Sequence, residues 1–123
     1  MFSKENLQIK LYHRKLQQTL YIVVFKFDNG NEVIFPCLSL NEVEELASSY
    51  IENNPYIITR ELVWYGVITY RLTDDEIAYF DTIKRFIECW YLQGRNIAMF
   101  PTRYNVKTFY QKNGQKFWWL RNF

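Results

Sequence analysis

The chain has 123 residues and a formal net charge of +2, a length that fits one domain and falls short of two ordinary ones. With 49% hydrophobic and 20% aromatic residues, it can build a core without a disulfide or metal staple. No run of 18 apolar residues occurs, no secretory leader opens the chain, and Cys37 and Cys89 stand far apart, so a soluble, reduced, cytoplasmic protein is expected.

In chain order, residues 8–12 form a first periodic segment, and a polar break at 13–15 precedes a strand over 20–27. Asp28-Asn29-Gly30-Asn31 predicts a hairpin with a type I′ turn, because Asn-Gly accepts positive φ. Residues 32–35 return as a strand that Pro36 ends, giving a three-stranded meander. Ser39-Leu40-Asn41-Glu42 reads as a capping box. Val43, Leu46, Ala47, Tyr50 and Ile51 follow at helical spacing, and Asn53-Asn54-Pro55 stops that helix.

Residues 56–59 and 62–72 are β-branched and aromatic and read as strands, with Arg60-Glu61 or Gly66 marking a turn or bulge. Thr73-Asp74-Asp75-Glu76 is a second capping box. It opens a helix over about 74–93, whose apolar stripe includes Ile77, Phe80, Ile83, Phe86, Ile87 and Trp90 and which Gly94 closes. Residues 97–100, 104–111 and 116–121 read as short strands, the last two joined by Asn113-Gly114. The expected architecture is α+β, in one domain spanning 1–123. It has a mainly antiparallel sheet built from hairpins and two α-helices, about 40–53 and 74–93, packed on one face.

No pattern in the sequence names a reaction. His13 is the single histidine and lies between Tyr12 and the cations Arg14 and Lys15; a catalytic role would need partners brought by the fold. A nucleophilic Cys37 paired with His13 has no support beyond availability, and neither cysteine has the Cys-x-x-Cys spacing of a redox or zinc site. The acidic groups Glu42, Glu44, Glu45 and Asp74, Asp75, Glu76 sit at helix starts, where the macrodipole accounts for them without a metal. Four scattered glycines form no phosphate loop. A protein without enzymatic activity, cofactor or metal is expected.

Charge is unevenly spread. Residues 1–83 carry seven Lys/Arg against twelve Asp/Glu, whereas residues 84–123 carry eight against one. Rings are interleaved with the tail cations, and 10 Phe, 10 Tyr and 4 Trp exceed what a core of this size uses. The expected binding residues are Arg95, Arg103, Tyr104, Lys107, Tyr110, Lys112, Lys116, Trp118, Trp119 and Arg121. Alternation along 104–111 places Tyr104, Val106, Thr108 and Tyr110 on one face and Asn105, Lys107, Phe109 and Gln111 on the other.

Two functional expectations follow. One is a non-enzymatic interaction protein that docks on a larger protein or protein–nucleic acid machine. Small size and residue usage suited to AT-rich codons make it a candidate phage or mobile-element inhibitor of a host nuclease or defence complex, acting in the host cytoplasm. The other is a nucleic-acid-binding protein whose C-terminal basic, aromatic hairpin tracks phosphates and stacks bases. The plainer alternative has the rings complete the core and the cations form a solvated rim. An acidic front and basic back would also suit self-association.

Overall fold

The computed structural model describes residues 13–92 and 103–112. In chain order they form β1 (Thr19–Phe27), β2 (Glu32–Cys37), α1 (Leu40–Asn53), α2 (Pro55–Glu61), β3 (Leu62–Arg71), α3 (Asp74–Phe80), α4 (Ile83–Leu92) and β4 (Arg103–Gln111). The strands make one open antiparallel sheet in the order β2-β1-β3-β4. This is the α+β class expected from the sequence. The segments expected at 8–12, 97–100 and 116–121, and the turns at Gly94 and Asn113-Gly114, lie outside the described residues.

The uninterrupted apolar run of β1 is explained by its place in the sheet. Ile22, Val23, Val24 and Phe25 are all fully buried, because side chains on both sides of the strand meet protein. On one side Leu20, Ile22, Ile68 and Tyr70 pack with Phe80 of α3 and with Ile83, Phe86 and Trp90 of α4. On the other, Val23, Phe25, Phe35 and Val67 pack with Val43 and Ala47 of α1, and Ile57 and Ile58 of α2 lie against them. Helices therefore cover both faces, not the single face that segregated runs of strands and helices suggested. No helix among the described residues is long and apolar enough to cross a membrane.

Local chemistry sets the element ends, with four departures from the sequence reading. In the β1–β2 loop only Gly30 takes a positive φ, +88°. Phe27 accepts from the Gly30 N–H at 3.0 Å and donates to the Asn31 carbonyl at 2.9 Å, so a three-residue loop with a left-handed glycine replaces the type I′ turn. Pro36 does not end β2, which continues to Cys37; β2 is an end strand of the described sheet, where a missing N–H is tolerated. The Ser39 hydroxyl caps α1 by accepting from the Glu42 N–H, but Glu42 reaches past Ser39 to the Leu38 N–H and to Arg14.

The third departure is at Pro55, which ends one helix and occupies the first turn of the next. Its fixed φ suits that position, so residues 56–59 are helical. Their β-branched character yields to the burial of Ile57 and Ile58 against the α1 side of the sheet. The fourth is at Asp81, where the helical span expected over 74–93 breaks. Asp81 has φ 64° and ψ −52°, and Thr82 donates to the Phe80 carbonyl at 2.7 Å, a γ-turn of the rare positive-φ kind. The segment at 14–16 holds it there. Leu16 donates to the Asp81 carbonyl at 2.9 Å, Ile83 donates to the Arg14 carbonyl at 3.0 Å, and Lys15 pairs with the Asp81 carboxylate at 2.7 Å. Thr82 then caps α4 by accepting from the Arg85 N–H.

Gly66 marks a close approach between β3, β4 and a ring. A Cβ there would lie 2.4 Å from the Lys107 carbonyl oxygen and within 2.8 Å of the Trp64 indole, which is fully buried and donates to the Thr108 hydroxyl at 3.3 Å. Gly66→Ala should therefore cost about 1–3 kcal/mol, read as a lower denaturation midpoint; an unchanged midpoint would contradict this packing. Asp81→Gly removes a backbone penalty of about 1–3 kcal/mol against an exposed ion pair worth about 0.2–1 kcal/mol. That variant should melt no lower than the parent, and Asp81→Val should melt lower.

Candidate functional site

The sheet is open where β4 extends it beyond the helices. Register pairs Arg71 with Arg103, Thr69 with Asn105 and Val67 with Lys107, and residues directly opposite share a face. That face is the one α1 and α2 cover over β1 and β2. Toward β4 the cover ends: Arg71, Arg103, Asn105 and Lys107 are exposed, whereas Tyr65 and Thr69 are half-buried.

A bulge interrupts the alternation expected along β4. Tyr65 pairs with Tyr110 and Gly66 with Thr108, which leaves Phe109 as an extra residue. The result brings Phe109 and Tyr110, 46% and 44% exposed, next to Tyr65. Rings then run across three strands. Fully buried Phe25 stacks on Tyr65 with centroids 4.4 Å apart and planes 3° from parallel, and Phe109 follows at 5.1 Å from Tyr65. Tyr50 of α1 backs Phe25 at 4.7 Å. The exposed end of the row is thereby anchored to the core.

The cations of this face have no acidic partner among the described residues. Among the described residues, Arg71, Arg103 and Lys107 make no ion pair, although like charges placed directly opposite on a sheet repel. Asp74 and Asp75 lie close in sequence but open α3, which packs on the other side of the sheet. Lys107 Nζ stands 5.6 Å from the Phe109 ring centroid, near enough for a cation–π contact. A hollow between β3 and β4 is lined by Arg71, Leu72, Thr73 and Arg103. Burial pushes the Tyr65 phenol above its usual value, so its ring carries no charge at neutral pH.

Of the binding residues expected from the sequence, Arg103, Lys107 and Tyr110 come together on this face. Tyr104 points to the other one, with its ring 5.6 Å from that of Tyr70 in the α3–α4 core. Exposed Lys112 follows the end of β4, its N–H bonded to the Val63 carbonyl. Arg95, Lys116, Trp118, Trp119 and Arg121 lie outside the described residues. Sequence reasoning confined to the tail missed Tyr65, Arg71 and Phe109. The signal for Tyr65 and Arg71 is the 65–71 stretch of β3, in which Tyr65, Thr69 and Arg71 depart from an otherwise buried strand.

Elsewhere the titratable groups serve the fold. His13 is exposed in a turn, while Cys37 is fully buried with its thiol 3.5 Å from the Phe35 carbonyl. Burial first, and the Glu42 charge second, push the Cys37 thiol up to about 12, the opposite of an activated nucleophile. Thr73 and Glu76 form the full reciprocal capping box, with Glu76 itself buried. Among the described residues no three His, Cys, Asp or Glu side chains converge as a metal-ligand group. An open depression bordered by Gln17, Gln18, Thr19, Tyr21, Ser39 and Asn41 offers amides and hydroxyls and, among the described residues, no charged side chain.

No protein-family pattern, curated protein or solved structure matches this chain.

The two thiols should separate chemically. In the native protein, half-buried Cys89 should react with a thiol reagent well before Cys37, which should become reactive only on unfolding; equal native rates would contradict the Cys37 environment. Folding raises the Cys37 value above its ordinary 9.0, so the folded chain holds that proton more tightly. The associated stability is complete below about pH 9 and is lost as pH climbs toward 12. Denaturant melts should show less of this alkaline loss in Cys37→Val than in the parent.

Proposed function

We propose that the protein is a non-enzymatic interaction protein that docks on a larger protein or protein–nucleic acid machine, with the open β3–β4 face as its docking surface. The observation that carries this reading is the ring row that ends in exposed Phe109, fixed by Tyr65 and Phe25 and flanked by cations that have no acidic partner among the described residues. A rigid strand presents its side chains at little further cost in ordering, which favours a binding site placed there. Aromatic rings and arginines supply most hot spots in known interfaces.

A more specific form of the role is an inhibitor of a host nuclease or defence complex, encoded by a phage or mobile element and acting in the host cytoplasm. Its support is the chain length and the AT-rich residue usage.

The test is affinity capture from lysate of the cell that carries the gene, comparing the parent chain with Lys107→Glu/Phe109→Ala. Both positions are exposed, so the variant should melt with the parent. The parent should retain a defined assembly that the variant loses. Equal retention by both would place the docking surface elsewhere.

A further inference from the structure

The arginines at one end of the open face and the rings at the other call for a ligand with alternating chemistry. Arg71 and Arg103 stand directly opposite each other beside a hollow, a like-charge arrangement that a bound anion would relieve. Lys107 follows Arg103 on the same face after about 13 Å, and the Phe109 ring lies about one alternation further on. Cations thus run along a strand that ends in exposed rings. No carboxylate among the described residues pairs with these three cations, so the field over the face is positive.

An acidic protein would satisfy the cations and leave the rings to find separate apolar partners. A lipid surface would need a broad apolar patch, whereas along β4 the exposed rings are the two at the bulge, set beside cations. Single-stranded nucleic acid supplies both halves from one repeating unit: phosphates for the cations and base faces for the rings. A duplex hides its base faces in the stack, out of reach of the exposed rings at the bulge.

We infer that the open β3–β4 face binds single-stranded nucleic acid, with Arg71 and Arg103 holding a phosphate, Lys107 tracking the backbone, and Phe109 and Tyr110 stacking bases. This deepens the docking role above by naming what the face touches, and it rests on that face being the docking surface. The sugar decides little here, so DNA and RNA are both substrates in principle. Which is preferred is read from the experiment.

The experiment is fluorescence anisotropy with labelled oligothymidylate and oligouridylate of about 12 nucleotides, within the usual ~4–16-nucleotide site range, and with a duplex of equal length. Both single strands should bind more tightly than the duplex, with log K falling against log salt at a slope of about −1.4 or steeper for two phosphate contacts. Phe109→Ala should weaken binding about tenfold. Arg71→Gln/Arg103→Gln should reduce the slope by about 0.7 units, and all variants should melt with the parent. Absent binding, a preference for duplex, or affinity unchanged in Phe109→Ala and in the double arginine variant would overturn the inference. If oligonucleotides fail to bind while capture of a protein assembly still depends on Lys107 and Phe109, this inference falls and the docking role stands.

Discussion

Burial of β1 on both of its faces is the constraint on which the rest of the structure depends. A strand paired on both edges and covered on both faces must be apolar at consecutive positions, and Ile22 through Phe25 meet that demand. Each face then requires its own helical cover. The α1–α2 pair supplies one and the α3–α4 pair the other, so two hydrophobic clusters form back to back through one sheet. Trp90, donating to the Tyr70 hydroxyl at 2.6 Å, closes the polar account inside the second cluster. With β1 fixed, the position of β3 follows, and β4 becomes the strand that outruns the cover.

That overhang links packing to function. The α1 helix reaches the sheet mainly over β1 and β2, so the β4 end of its face is left to solvent. A strand there would ordinarily be polar. Instead the bulge opposite Tyr65 brings Phe109 and Tyr110 to the same side, next to Lys107. The glycine at 66 is part of the same device, since it admits both the Trp64 indole and the β4 backbone. Stability and site are therefore coupled: the side chain that seals the core beneath the sheet also permits the strand approach that displays the rings.

Much of this was legible in the sequence wherever a local rule decided the outcome. Ser39 and Thr73 start helices because short hydroxyl side chains satisfy otherwise orphaned amides, and Gly30 turns the hairpin because it alone accepts a positive φ there. The departures arose where distant segments decide. Nothing local to Asp81 outweighs the helical stripe around it; the break depends on Arg14, Lys15 and Leu16 arriving from the other end of the domain. Adjacent cap-formers, Asp81 and Thr82, were the available hint. Pro55 was read as a stop when its position also suited a start. The candidate site was half visible: the excess of tail cations identified Lys107 and Arg103, but a one-residue bulge re-sorts the rings, and β3's share of the surface needed the register.

The central claim is that the open β3–β4 half of the α1–α2 face is the binding surface. The most direct measurement is a backbone amide NMR titration of the isotope-labelled chain with oligothymidylate, following every assigned residue at once. The account predicts that the largest shifts fall at 65–71 and 103–110, with little change along α3 and α4. Shifts concentrated on those helices, or a spectrum that does not respond, would contradict it.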